Sequence, residues 1–131
     1  MLEAPYVMKL AQNLARHAGA RQTQIAKNIA NADSPGYRAR DLVDFSDTFQ
    51  ETGKGNEQRV TRGKHMTATA TAASVSYRSY DLGGEASPNG NTVSLETEMV
   101  RAAEAKSAHE TALSVYSSSL DILRTSLGRG R

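Results

Sequence analysis

The chain has 131 residues, no cysteine, and a net charge of +2 from 16 basic and 14 acidic side chains. The absence of cysteine excludes a disulfide framework and a cysteine-based metal site. An apolar share of 38%, with five Tyr, two Phe and no Trp, is thin for a compact core of this length. It favours elongated helices that complete their burial against other molecules.

Charge distribution and hydropathy argue against two further classes of partner. Arg59, Arg62 and Lys64 are spread through a Gly-containing segment, whereas a nucleic-acid binder usually gathers its basic side chains on one element. No apolar run approaches the roughly 18 residues of a membrane span. The N-terminus lacks the basic and apolar regions of a cleavable secretory signal. We therefore expect no nucleic-acid partner, no direct membrane span and no cleaved signal peptide.

The first predicted element is a helix from residue 6 to about 32, which occupies an N-terminal part over residues 1–33. Pro5 suits its N-terminal boundary. Gly19 and the polar Arg21-Gln22 pair interrupt the apolar pattern, so the sequence allows a break there. The apolar stripe is narrow and Ala-rich, which permits close approach of a second helix. Its members are Val7, Leu10, Ala11, Leu14, Ala18, Ile25 and Ile29.

The helix is predicted to stop near Asp33, before a tight turn. Pro35 steers Ser34 away from α geometry, and Pro35-Gly36 suits positions i+1 and i+2 of a type II turn. The apolar residues that follow fit either a short helix or an extended segment, and they are Leu42, Phe45 and Phe49.

The middle part, residues 34–91, is predicted to be rich in loops. Beyond about residue 50 it is dominated by Gly, Thr, Ser and Ala, and Gly83-Gly84 and Ser87-Pro-Asn-Gly90 are turn signals. A weak alternation at Val75 and Tyr77 allows one short β-hairpin.

The last part, residues 92–131, is predicted to be a long helix that opens near residues 91–94 and stops at Gly128. Its apolar residues follow a heptad pattern. At about 1.5 Å per residue the helix is roughly 50 Å long, so this seam needs partners along its whole length. The seam positions are Leu95, Met99, Ala102, Lys106, His109, Leu113, Tyr116, Leu120, Leu123 and Leu127.

These elements predict an all-α fold of one structural unit. The N- and C-terminal helices form an elongated antiparallel hairpin, resembling a coiled coil, around a loop-rich middle with at most one short β-hairpin. This architecture is typical of an interaction or assembly protein.

No catalytic or metal-binding constellation is predicted. His17, His65 and His109 lie on three different parts of the chain. The carboxylates Asp41, Asp44 and Asp47 recur every three residues, but they lack the central Gly and terminal Glu of a calcium loop. We interpret them as a solvated acidic face, and we expect no enzyme activity, cofactor or metal.

The most informative motif is the string Asn28-Ile-Ala-Asn-Ala-Asp-Ser-Pro-Gly-Tyr37. Read locally it is a helix terminator, because Asn and Asp side chains can satisfy the backbone groups freed as a helix ends. It also resembles the N-terminal signature of the bacterial flagellar rod and hook family, usually Asn-Ile-Ala-Asn-Ala-x-Thr-Pro-Gly-Tyr. The motif residues are Asn28, Ile29, Asn31, Asp33, Ser34, Pro35, Gly36 and Tyr37.

Two further stretches carry the same resemblance. The continuation through Arg40, Asp41 and Phe45 is similar to that of the proximal rod proteins, the FlgB type. The string Asn91-Thr-Val-Ser-Leu-Glu-Thr-Glu-Met99 is similar to the family's Asn-x-Val-Asp-Leu-x-x-Glu-Met, with Ser94 in place of Asp. The resemblance covers most of the chain outside residues 50–90.

The resemblance implies a structural subunit of the flagellar basal-body rod, located in the periplasm and exported by the flagellum's own type III apparatus. It implies partners among copies of the chain, other rod proteins, and adaptors of the membrane ring and export gate at the rod base. We expect the assembly interface to be formed by Leu10, Leu14, Ile25, Leu95, Met99, Leu113, Tyr116, Leu120, Leu123 and Leu127.

Three alternatives remain at the level of sequence. A second rod protein of the same family, the FlgC type, is the nearest, although the short middle part argues against it. An export chaperone or adaptor with a helical hairpin would show the same seam, but it would have no reason to carry the Asn28–Tyr37 string. An enzyme is the weakest alternative, for want of clustered polar side chains.

Overall fold

The computed structural model describes residues 3–53 and 77–128. In this part of the chain, α1 spans Glu3–Ala30, β1 Arg40–Leu42, α2 Phe45–Gly53, β2 Ser79–Asp81 and α3 Leu95–Gly128. With 28 and 34 residues, α1 and α3 are about 42 and 51 Å long. The molecule is mostly α-helical, and the predicted fold class is confirmed.

The two long helices pack side by side in opposite directions. Asn28, near the end of α1, contacts Glu98, near the start of α3, while Arg21 lies 3.5 Å from Glu104 one to two turns further along. The buried residues of both helices recur every seven positions. On α1 they include Ala11, Ala18 and Ile25, and on α3 they are Glu98, Ala105, Ala112 and Ser119.

The buried seam of α3 is therefore built mainly from small residues. Half of the ten predicted heptad positions flank this small stripe and are half-buried, namely Ala102, His109, Tyr116, Leu120 and Leu123. The other half includes Met99, Lys106 and Leu113, which are exposed. A seven-residue repeat fixes the period of a seam but not its phase, and α1 packs on the phase whose side chains are smallest.

The bounds of α1 differ slightly from the prediction. The helix begins at Glu3 rather than residue 6, with Pro5 in the first turn, where its missing N–H leaves no helical hydrogen bond unmade. It ends at Ala30 rather than near residue 32. No break occurs at Gly19 or Arg21, because Arg21 is held by partners on β1 and α3.

The turn after α1 has the features predicted for it. The Tyr37 N–H donates to the Ser34 carbonyl oxygen at 3.3 Å, which closes a four-residue turn. Gly36, at position i+2, has φ +72°. A positive φ at this position is the mark of a type II turn, and it explains the need for glycine.

A two-stranded antiparallel sheet covers one side of the helix pair. Arg40 lies opposite Asp81 and Leu42 opposite Ser79. The strands flank residues 43–78, so the sheet joins distant segments and is not the local hairpin suggested by Val75 and Tyr77. Val75 lies outside the described residues. Within the described residues, no helix has an apolar stretch long enough to cross a bilayer.

Because small residues form the seam between α1 and α3, a larger side chain should lower stability inside the seam more than outside it. Ala105→Leu forces a larger side chain between α1 and α3, and we expect it to lower the free energy of unfolding by about 1–3 kcal/mol. The matched control is Ala103→Leu, at an exposed position on the same helix. Urea unfolding followed by far-UV circular dichroism measures both changes. Equal effects at the two positions would contradict the assigned phase of the seam.

Candidate assembly site and its polar joint

Asn28 is the centre of a buried polar joint at the loop end of the hairpin. Its side chain is fully buried. The Nδ2 group donates to the Arg40 carbonyl oxygen at 2.8 Å and to Glu98 Oε2 at 3.0 Å, which joins α1, β1 and α3. Oδ1 accepts from the Tyr37 hydroxyl at 3.1 Å, and also from Gln24 Nε2 and the Arg40 N–H. Both donors and the acceptor of the amide are therefore satisfied.

Asn91 terminates α1 from outside the helix. Its Nδ2 lies 2.8 Å from the carbonyl oxygens of Asn31, Ala32 and Ser34. Its Oδ1 accepts from the Val93 N–H at 2.7 Å. The end of a helix leaves carbonyl groups without partners. Here a single amide from the segment before α3 supplies donors to the chain that follows α1, and so fixes one helix against the other.

The backbone on either side of these amides is also paired. The Gly36 N–H donates to the Asn89 carbonyl oxygen at 2.9 Å, and the Thr92 N–H donates to the Tyr37 carbonyl oxygen at 3.0 Å. Gly90 has φ +81°, and a Cβ on it would lie 3.4 Å from Gly36 Cα. The two turns therefore meet in van der Waals contact.

A row of alternating charges extends the joint along the helix pair. Arg21 holds Asp41 through two bonds, Nε to Oδ1 at 3.0 Å and Nη2 to Oδ2 at 2.8 Å. Arg101 Nη1 lies 2.8 Å from Glu98 Oε1, and Arg101 Nε lies 3.9 Å from Asp41 Oδ2. The hydrogen bond to Asp41 is the main cause that raises the pKa of Arg21, so its charge is permanent.

Asp41 does not belong to a solvated acidic face, and that expectation was wrong. Its side chain is buried, while Asp44 and Asp47 are exposed. Carboxylates three residues apart share one face only on a single continuous helix, but Asp41 lies on β1 and Asp47 on α2. Among the described residues, no group of His, Asp and Glu is arranged to hold a metal ion.

His17 is a second contact point that the sequence analysis did not identify. Its Nε2 lies 2.8 Å from the Val43 carbonyl oxygen, and its ring lies 5.8 Å from Phe45 and 5.2 Å from Tyr77. Burial raises the pKa of the Tyr77 hydroxyl. The His17 ring therefore packs the segments around Phe45 and Tyr77 against α1. A lone histidine beside an Ala-rich stripe carries no local signal of such a role.

The joint holds no group that is free for chemistry. Within the described ranges, every buried side-chain nitrogen and oxygen has a hydrogen-bond partner. Acids and bases in catalytic sites face a space that a substrate can enter, whereas these carboxylates face guanidinium and amide groups. The arrangement supports a structural role.

The ten predicted interface residues lie in different environments. Ile25 is 2% exposed and packs inside the hairpin, whereas Met99 and Leu127 are 63% and 83% exposed. Leu95 and Leu113 are also exposed. The remaining five are half-buried, namely Leu10, Leu14, Tyr116, Leu120 and Leu123. Exposed apolar residues of α3 that the heptad pattern did not include are Val100, Val115 and Ile122.

The exposed residues of α3 divide into two flanks. Arg101 reaches Asp41 on β1, so its flank of the helix faces the sheet. At about 100° per residue, Leu113 lies roughly 120° round the helix from Arg101. Met99, Leu113 and Leu127 are spaced in multiples of seven and share this second flank. We call it the open face of α3.

Comparison with known proteins identifies the family. The flagellar basal body rod protein FlgB of Salmonella typhimurium is 32% identical over 106 residues, which cover 76% of this chain and 77% of that protein. The chain belongs to the FlgB family. FlgB of Escherichia coli K12 is 31% identical over 103 residues, covering 74% of this chain and 75% of that protein. FlgB of Agrobacterium fabrum is 27% identical over 106 residues, covering 79% of each. No family model matches the chain.

The sequence resemblance to the FlgB type is thereby confirmed. The two strings that carried it lie at opposite ends of the middle part, and the structure brings them together. Asn28 belongs to the first string and Glu98 to the second, and they share a hydrogen bond. Asn91 opens the second string and bonds to the turn of the first. The strings most typical of the family thus form the polar joint.

The coupling of Asn28 to Glu98 can be tested by exchanging donor and acceptor. Asn28→Asp places a second carboxylate against Glu98 and removes the donor to Arg40, so we expect a loss of at least about 3 kcal/mol in unfolding free energy. Adding Glu98→Gln restores one donor–acceptor pair with the roles reversed, and should recover about 1 kcal/mol or more. Thermal and urea denaturation of the four chains measure the cycle. Strictly additive losses would show that the two residues are not coupled.

The positive φ of Gly36 allows the cost of backbone conformation to be tested without a change in side-chain contacts. No atom lies within 4 Å of a Cβ built on Gly36, so the cost of a side chain comes from the positive φ. Gly36→Val should lower the free energy of unfolding by about 1–2 kcal/mol, and Gly36→Asn by less, because Asn tolerates the left-handed region. Melting temperatures of both variants test this order. If Val were tolerated as well as Asn, the turn would not depend on φ.

Proposed function

We propose that this FlgB-family chain is a structural subunit of the proximal rod in the flagellar basal body. In this proposal it assembles helically with other copies and with other rod proteins, and it transmits torque from the membrane ring to the hook. The observation that carries the proposal is the open face of α3. Large apolar side chains on a helix about 51 Å long face outward, while small ones face α1.

An outward apolar face of this kind favours burial against a neighbouring helix. Met99 and Leu113 each leave half or more of their surface exposed. Burying one such side chain stabilises an assembly by about 1.5–3 kcal/mol. Because subunits of a rod repeat, the same gain recurs at every contact between neighbours. Large apolar side chains that share one exposed face of a helix usually mark an interaction surface.

The offset between the two long helices supports the same role. Asn28 pairs with Glu98, so at an equal rise per residue Glu3 lies level with Leu123. The last turn of α3, with Leu127, therefore runs past the first turn of α1. Coiled-coil packing can continue along this turn against a helix of a neighbouring molecule.

The polar joint suits a subunit that carries mechanical load. It ties α1, β1 and α3 together through Asn28, and Arg21 and Arg101 bridge Asp41 and Glu98. Breaking a buried ion pair by removing one partner costs about 3–5 kcal/mol. Sliding of one helix along the other would break several of these bonds at once, so the hairpin resists shear.

The proposed location is the periplasmic part of the basal body, with export that leaves no cleaved signal peptide. The proposed partners are further copies, other rod proteins, and adaptors at the rod base. The proposal includes no reaction and no cofactor.

The open face predicts a defect in assembly without a defect in folding. Leu113→Glu places a charge in the middle of the face, and the isolated subunit should keep its helix content because Leu113 is exposed. The matched control is Ser114→Glu, at the adjacent exposed position. In cells lacking their own copy, we expect Leu113→Glu to be made at normal levels yet to abolish swimming, and Ser114→Glu to swim. Normal swimming by Leu113→Glu would exclude the open face as an interface.

A further inference from the structure

The turn Ser87-Pro-Asn-Gly90 carries a chemistry that assembly does not require. In an Asn-Gly pair, the backbone nitrogen of Gly90 can attack the side-chain carbonyl carbon of Asn89. Glycine has no side chain to obstruct this approach, and its backbone is the most flexible of any residue. Asn89 and Gly90 are both exposed, so water can reach the products.

The reaction is a cyclisation followed by hydrolysis. A bond forms between the Gly90 nitrogen and Asn89 Cγ, the Gly90 amide proton is transferred, and Asn89 Nδ2 leaves as ammonia. The resulting succinimide then takes up one water molecule. Opening at one carbonyl gives aspartate, and opening at the other gives isoaspartate, in which the main chain runs through the former side chain. No oxidant or reductant is involved.

Hydrogen bonds of the docked turn keep the Gly90 nitrogen from attacking Asn89 Cγ. The Gly90 N–H donates to the Ser87 carbonyl oxygen at 2.7 Å, and the Asn89 carbonyl oxygen accepts from the Gly36 N–H at 2.9 Å. Closing the five-membered ring turns the Asn89–Gly90 peptide plane, so both bonds must break. The Asn91 N–H lies 3.1 Å from Asn89 Oδ1 and draws electron density from Cγ. The carbon is therefore activated, and protection depends on the two backbone hydrogen bonds that fix the Asn89–Gly90 peptide plane.

We propose that Asn89 is a deamidation site gated by the docking of this turn on the end of α1. The site is inert while Gly36 and Asn89 are paired, and it reacts once the turn leaves. Isoaspartate adds one methylene group to the main chain beside Gly90. Because the added methylene shifts Gly90 relative to Asn89, the pair Gly36–Asn89 and the pair Gly90–Ser87 cannot both form again, and the lengthened chain does not reproduce the docked turn. Once Asn89 has been converted to isoaspartate, the turn can therefore no longer dock on the end of α1.

The test compares deamidation in native and denatured full-length chain. Purified protein is incubated at mildly alkaline pH, in buffer and in concentrated urea, and Asn89 conversion is followed by peptide mass spectrometry. Labelling with an isoaspartyl methyltransferase measures the isoaspartate product. We expect native conversion to be at least about tenfold slower, since only the open fraction reacts. Equal rates in the two states would overturn the proposal.

Two variants separate docking from general stability. Asn91→Ala removes the amide that bonds Asn31, Ala32 and Ser34 but keeps the Asn89–Gly90 pair, so its conversion in buffer should rise several-fold. Ala11→Gly weakens the hairpin at its other end and should leave the conversion rate slow, with circular dichroism confirming that both variants are folded. A slow rate in Asn91→Ala, or an equal rise in both, would refute gating by docking. Asn89→Gln, which cannot form the five-membered ring, gives the background.

Discussion

The structure depends on the buried amide of Asn28. A stripe of Ala at seven-residue intervals packs closely, but it specifies register weakly, since a slip by one heptad brings Ala against Ala again. A buried amide behaves differently, because leaving its donors or acceptor unsatisfied costs about 1–3 kcal/mol per group. Only one register satisfies Asn28 with Arg40 and Glu98 together. Buried polar residues set register in coiled coils in the same way.

The chain has a low apolar content because small residues form the inner seam and few large apolar residues are needed there. The inner seam uses Ala11, Ala18, Ala105 and Ala112, which bury little area each but bring the helix backbones close together. Larger residues such as Met99 and Leu127 face outward. A self-sufficient domain places its large apolar side chains inside. Here they remain exposed, and in the proposed assembly their burial against neighbours would supply the stability that a compact core supplies elsewhere.

Sequence patterns over a few residues predicted the features that depend on neighbouring residues. They did not predict the features that depend on contacts between distant segments. The two long helices, the stop before Ser34 and the positive φ of Gly36 follow from periodicity and turn chemistry over a few residues. The role of Asn91 depends on carbonyl groups about sixty positions away, and that of Asp41 on Arg21. No local pattern contains such pairings. The phase of the seam was also undetermined, because the Leu and the Ala positions share one period, and only packing against α1 chooses between them.

Lys106 has a comparable place on the open face of α3, the surface that the proposed neighbour would cover. Lys106 lies between Met99 and Leu113 on the open face, and its Nζ is 3.9 Å from Glu110 in an exposed pair. Such a pair contributes only about 0.3–0.5 kcal/mol, so it releases Lys106 at little cost. An apolar partner surface would bury this ammonium without compensation and is disfavoured, whereas a carboxylate at that level is favoured. In the proposed assembly, the charge that interrupts the apolar face would therefore do between subunits what Asn28 does within one, because it would penalise every register except the one that gives it a partner.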